Sequence, residues 1–229
     1  MLEERFSLFY TGYALSLPQT YEHIEGLNEK YGQSAISESV KERLINRRDE
    51  LRYQRQTALS VAESVGQALR LPVHPYQENE TYLEWMEAFI RRVEDRYPMN
   101  QIGYYYFYYA RMVTTLLGNV CLGTTRFYLY TNIKDPVLLQ KGAENIRDCE
   151  FILFRLIAAA ALISGEHGHR YFNTYYKELN QQYESLMSIS WSELTNEQMV
   201  NELPALIKFE QFAKNGFEEC FVTIRKLLK

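Results

Sequence analysis

Glycine and proline are scarce in this chain of 229 residues, eleven and six respectively. With so few breakers, the elements between them are expected to be long, which favours an all-α protein over a turn-rich β-fold. Cysteine is scarcer still: Cys121, Cys149 and Cys220 are odd in number, widely separated and set in apolar surroundings. That pattern excludes a disulfide framework or a CxxC metal site and points to reduced core thiols in an intracellular, cytoplasmic protein. An excess of one charge is also missing, since 25 Lys and Arg face 29 Asp and Glu for a net charge of −4. The whole chain therefore signals neither nucleic-acid binding nor an acidic tail. No apolar run reaches the ~20 residues needed to cross a bilayer. The most apolar stretch, FILFRLIAAAALIS from Phe151 to Ser164, carries Arg155 inside it and reads as a buried helix. The N-terminal MLEERFSLFYTGYALSL has acidic residues where a signal peptide needs basic ones. Finally, there is no P-loop, GxGxxG, GxSxG or HExxH motif, and Glu84-Trp85-Met86-Glu87 is an isolated ExxE.

What is present is aromatic and apolar. Hydrophobic positions make up 46 % of the chain and include 19 tyrosines and 12 phenylalanines, enough to exclude disorder and fill a core. The breakers fall at Pro18, Gly32, Pro72 with Pro75, Pro98, Asp135-Pro136, the Gly165 to Gly168 cluster and Pro204. They predict an all-α, elongated multi-helix bundle of about seven helices, two or three of them long. The expected organisation is a single all-helical domain over residues 1–229, with a candidate sub-boundary at 166–168.

From Ser34 to Leu71, Ile36, Val40, Leu44, Leu51, Ala58, Ala62, Val65 and Leu69 define one helical face. The centre of that segment, NRRDELRYQRQT, is polar on nearly every side and is expected to bridge solvent or to meet something other than the core. Asn79 is expected to cap a helix from Glu80 to Tyr97, ended by Pro98. Residues Met99–Thr131 and Pro136–Ser164 form the most apolar pair, and their short connection makes them antiparallel neighbours. A capping box, Thr195 with Gln198, opens a short piece before two C-terminal helices around Pro204 and Asn215-Gly216.

Four features could carry chemistry. Glu166-His167-Gly168-His169 gathers a carboxylate and two of the four histidines, the densest metal-like cluster in the chain. A metal enzyme would hold a water there with Glu166, His167 and His169 as ligands. A di-iron bundle would need the motif twice on helices, so an exposed polar turn is the plainer reading and no cofactor is expected. Second, Arg111 and Arg126 on one apolar helix, against Glu144, Asp148, Arg155 and Glu166 on the other, suggest a polar seam. Three arginines facing three carboxylates is the balance of internal ion pairing. The same seam could instead be an anion pocket lined by Tyr104, Tyr108 and Arg111, in a small-molecule carrier or sensor.

Third, the run Tyr104-Tyr105-Tyr106-Phe107-Tyr108-Tyr109 points in every direction round a helix. Some of it is expected either to meet a partner or to sit at the wet edge of a wide core. Fourth, the segment Lys41 to Arg55 carries a modest excess of base, which reads as a solvated helix and not a nucleic-acid surface. Together these lead to a non-enzymatic helical protein–protein interaction protein, a subunit or masking partner in an intracellular assembly, acting with a protein partner or as a homo-oligomer.

Overall fold

The computed structural model describes residues 2–70, 82–98, 101–167 and 170–227. Among the described residues there are seven α-helices, one short 3-10 turn and no strand. In chain order the helices are α1 (Leu2–Tyr31), α2 (Glu38–Ala68), α3 (Tyr82–Arg96), α4 (Ile102–Ile133), α5 (Pro136–His167), α6 (Tyr171–Met187) and α7 (Asn196–Leu227). The 3-10 turn, Trp191–Glu193, links the last two. The all-α bundle is as the breaker pattern predicts. Residues Asn79 and Glu80, expected to open α3, lie outside the described residues.

Five helices run for 30 to 32 residues, where two or three long ones are expected. Prolines inside helices account for the difference, because Pro18 lies within α1 and Pro204 within α7. An interior proline removes one N–H and crowds the carbonyl four residues back, at a cost of about 3 kcal/mol. Helix α7 absorbs that cost because both halves are anchored: Met199 and Leu203 before the proline, and Leu206 and Phe209 after it, are all buried. Burying each such side chain is worth about 1.5–3 kcal/mol. The capping box at the start of α7 forms as expected, with the Gln198 N–H donating to Thr195 Oγ1 at 3.3 Å and the Thr195 N–H to Gln198 Oε1 at 2.9 Å.

Helix α4 is the centre of the fold. It packs along α5 and α1 most extensively and also touches α7 and α2, while Tyr104 and Phe107 join Trp85, Phe89 and Val93 of α3 in a second core cluster. Its tyrosine run is enclosed as a result. Tyr104, Tyr106, Phe107 and Tyr109 are buried, Tyr105 and Tyr108 half-buried, and none of the six rings projects fully into solvent. The wide-core reading of the tyrosines is the one the fold realises.

The tyrosines of α6 have a further structural task. Tyr175 donates to the Ala213 carbonyl at 2.7 Å and Tyr183 to the Ile146 carbonyl at 2.7 Å. Tyr171 donates to Gly216 O at 3.1 Å. Each hydroxyl thus links α6 to the backbone of a neighbouring helix while its ring fills the core.

The connection between α4 and α5 is tight for local reasons. Lys134 takes the left-handed conformation, φ 60°, to end α4. Asp135 then caps α5, accepting from the Val137 N–H at 2.9 Å, with Pro136 at the first helical position. Asp135 also accepts from the Tyr31 hydroxyl at 2.9 Å, which ties the end of α1 to the same corner.

The apolar sequence of α5 departs from expectation. Ile152, Leu153, Leu156, Ala159, Ala160 and Ile163 are buried, but Phe151, Phe154, Ile157 and Leu162 are exposed. Only one face of this helix is covered, so it is not the wholly buried helix its composition suggests.

Helix α7 approaches α6 closely at Gly216, where an added Cβ would stand 2.5 Å from Tyr175 Cδ2. Gly216→Ala is expected to destabilise the protein by about 1–3 kcal/mol, because a buried ring hydrogen-bonded to Ala213 cannot retreat. Urea unfolding against the wild type measures the loss.

Candidate functional site

The residues of the proposed seam separate into three places. Arg126 does reach α5, but it donates to Asn145 Oδ1 and, at 3.3 Å, to the Lys141 carbonyl. Asn145 in turn donates to Asn119 Oδ1 at 2.9 Å, so the α4–α5 seam is built mainly of amides. Burial pulls the Arg126 guanidinium below its ordinary pKa, and nearby Glu144 partly offsets that.

Arg111 turns to α3, where its Nη1 lies 3.3 Å from Glu94 Oε1. Tyr104 and Tyr108 stack beside it with ring centroids 5.6 Å apart. Asp148 and Arg155 are both exposed, Arg155 lying 4.0 Å above the Phe151 ring. The charge-balanced internal seam is therefore corrected. Asn145, held by its own bond to Asn119, accepts from Arg126 without the desolvation cost of a second charge.

The metal-like cluster falls at the end of α5. Glu166 and His167 belong to its last turn, while their side chains, Gly168 and His169 lie outside what the structure describes. Among the described residues no three His, Cys, Asp or Glu side chains stand close enough to share a metal.

Two features that sequence reasoning missed dominate the described surface. The first is the outer face of α5. Phe154 is 74 % exposed, Phe151 58 %, Ile157 47 % and Leu162 44 %. With exposed Ala158, Ala161 and Gly165 they make an apolar stripe along about four turns, with Arg155 on its edge. At the N-terminal end the stripe opens into a groove between α5 and α6, lined by Arg147, Asp148, Glu150, Phe151, Phe154, Tyr176 and Asn180. Periodicity could not mark this face, because FILFRLIAAAALIS is apolar all round and gives no sign of which side is covered.

The second is a charged cleft between α2 and α7, and it answers the question of what the polar centre of α2 meets. Arg47 pairs with Glu210 of α7 through one guanidinium nitrogen and with Glu50 at 3.3 Å through the other. Glu50 then accepts from Lys214 Nζ at 2.9 Å. The result is an alternating ladder, Glu210, Arg47, Glu50, Lys214, in which helices of low mutual apolar contact are joined by charge. Burial works to raise the Glu50 carboxyl, but Lys214 and Arg47 outweigh it and hold it below the usual carboxylate range. One turn away, Arg43 lies 4.1 Å over the Tyr128 ring, and burial lowers its pKa from the usual value. The excess base of Lys41 to Arg55 is thus partly committed to α7 and to α4. The sequence signal for the ladder was present, since Glu210 and Lys214 are four residues apart on one helical face, but nothing in spacing says that α7 lies beside α2.

No family model, no curated protein and no solved structure matches this chain.

Two stability predictions separate these contacts. Arg111→Ala breaks a partly exposed pair and is expected to cost only about 0.5–1 kcal/mol. Arg47→Ala strands Glu210, whose side chain is 11 % exposed, and is expected to cost about 2–3 kcal/mol after discounting for the 22 % exposure of Arg47. Chemical denaturation of both variants tests the contrast. A depressed carboxylate stabilises the fold above its unfolded pKa and loses that contribution as pH falls through its own lower value. Stability is therefore expected to drop below about pH 4.3, and Glu50→Gln to flatten that acid limb in a series of thermal melts.

Proposed function

We propose that this chain is a non-enzymatic helical interaction protein that docks through the outer face of α5. The single observation behind the reading is the apolar stripe from Phe151 to Gly165, on which Phe154 is the most exposed. Water-soluble surfaces scatter single apolar residues, whereas contiguous apolar strips of this length mark interaction sites. The stripe is one helix wide and alternates large rings with Ala158 and Ala161, the relief into which another helix packs its side chains. The aromatic run of α4, by contrast, does not support the reading, because its six rings are buried or half-buried.

The occupant that fits is the same face of a second copy. An isologous interface must be complementary to itself, which an apolar stripe satisfies directly. A two-fold axis crossing α5 at Ala158 sets Phe154 of each copy at the level of the other copy's Leu162 and Phe151 at the level of Gly165, so that the stripe covers itself. The three native thiols, free and buried, suit a reducing compartment, and cytoplasmic assembly is the corresponding setting. Among the described residues no helix is long and apolar enough to cross a membrane.

Sedimentation velocity over a concentration series is the test. The wild-type chain is expected to form dimers, and Phe154→Asp, at an exposed position that leaves the core intact, to be monomeric with an unchanged melting temperature. Ala158→Cys, at an exposed position on the axis, is expected to yield a disulfide-linked dimer on mild oxidation, since burial holds the Cys121, Cys149 and Cys220 thiols protonated. A wild-type chain that stays monomeric at its highest attainable concentration sinks the dimer.

A further inference from the structure

The groove at the N-terminal end of the α5 stripe carries charge that an apolar contact does not use. Asp148 and Glu150 are both exposed there, and with Arg147 they give its lining an excess of one carboxylate. Among the described residues neither carboxylate is in an ion pair within the chain. Glu150 lies one turn before Phe154 on the same edge of the stripe and shares the groove with Tyr176 and Asn180 of α6.

The opposite charge stands at the other end of the same helix pair. Arg170 is exposed and takes the capping position ahead of the first turn of α6. It does not serve its own helix. Its side chain makes no capping hydrogen bond, the first turn of α6 has no acidic residue, and the helix dipole opposes a cation at that end. Among the described residues no carboxylate of the chain pairs with it.

Two-fold symmetry brings these groups together. An axis at Ala158, perpendicular to α5 and lying in the plane of contact, reverses the direction of α5 but keeps α6 on the same side in both copies. Glu150 stands eight residues before Ala158, about 12 Å along the helix. The start of α6 stands a similar distance beyond Ala158, since the Asn173 N–H donates to Ser164 Oγ at 3.3 Å and so holds α6 beside the last turns of α5. The partner's Arg170 therefore arrives at the level of Glu150 and on its α6 side. Phe154 and Tyr176 line the same groove and offer ring surface to a flat guanidinium next to its carboxylate.

We infer that the α5–α6 groove is the docking site for Arg170 of the partner subunit, which pairs with Glu150 twice in each dimer. The inference rests on the α5-to-α5 dimer proposed above and names the part of the second copy that enters the groove. Each contact neutralises the groove and brings a carboxylate to the N-terminus of the partner's α6, which has none in its own first turn. An apolar stripe alone tolerates sliding by a turn, whereas two reciprocal charge contacts fix the register and the antiparallel direction.

Charge reversal in separate chains tests the contact. In sedimentation velocity at low salt, Arg170→Glu and Glu150→Arg are each expected to weaken the dimer at least ten-fold, because each homodimer then sets like charges together twice. Mixed in equal amounts, the two variants are expected to regain the wild-type dimer, since both contacts of the mixed pair join opposite charges. A pairing of Arg170 with Glu150 inside one chain cannot give that rescue. Both positions are exposed, so unchanged melting temperatures are expected. Glu150→Gln removes the charge without reversing it and is expected to weaken the dimer about five-fold, which decides the matter if a reversed chain does not fold. Any of these single variants that dimerises like the wild type overturns the inference, as does a mixture that stays monomeric. If Phe154→Asp alone abolishes the dimer, the α5 interface stands and only the groove contact falls, whereas a monomeric wild type overturns both.

Discussion

The enclosure of α4 places two demands on the chain, and most of the other helices answer one or the other. A helix surrounded on nearly all sides has to fill its surroundings at the density of a solid and has to satisfy its own polar groups without water. Its threonines do the second locally: Thr114, Thr124 and Thr125 each donate to the carbonyl four residues back, at 2.7, 2.7 and 2.8 Å. Its aromatic run does the first, with Phe107 turned to α3 and Tyr109 to α6, where it meets Phe172 edge to face at 5.3 Å. The neighbours add tyrosines whose hydroxyls end on backbone carbonyls. Tyr171, Tyr175 and Tyr183 find such acceptors on neighbouring helices, whereas the buried Tyr109 hydroxyl reaches none.

With α4 filled by α1, α5 and α7, helix α2 lies outside the main core cluster. Its N-terminal turns find one small apolar cluster, Val40 and Leu44 with Ile36, Leu129 and Leu138, and its midpoint another, Leu51 with Ile24 and Cys121. Its centre is joined to α7 by charge. An ion-pair ladder spans a gap that close side-chain packing cannot, because long charged chains reach further than apolar ones.

Helix α5 has the opposite character. It is apolar on both sides while the fold has neighbours for one. Burying an apolar face in a second layer would require another helix, and the chain assigns α6 and α7 to the inner side. The exposed half is therefore available for a contact between chains, and it lies apart from the charged cleft.

Composition and spacing alone determined the helical class, the approximate number of helices, the antiparallel α4–α5 pair, the buried positions Val40, Leu44 and Leu51 of α2, and the capping box of α7. These depend on local chemistry: breaker frequency, a period of 3.6 and the hydrogen bonds of helix ends. Arg126 meets α5 at Asn145 and not at the adjacent Glu144. What lies beyond local chemistry was decided by the tertiary structure. Pro18 and Pro204 continue helices because packing on both sides outweighs a single lost hydrogen bond. Arg111 finds Glu94, and Arg47 finds Glu210, across distances in sequence that no periodicity encodes. Whether Phe154 is core or surface depends on which helices remain to cover it, and that is a property of the whole packing arrangement and not of any one segment.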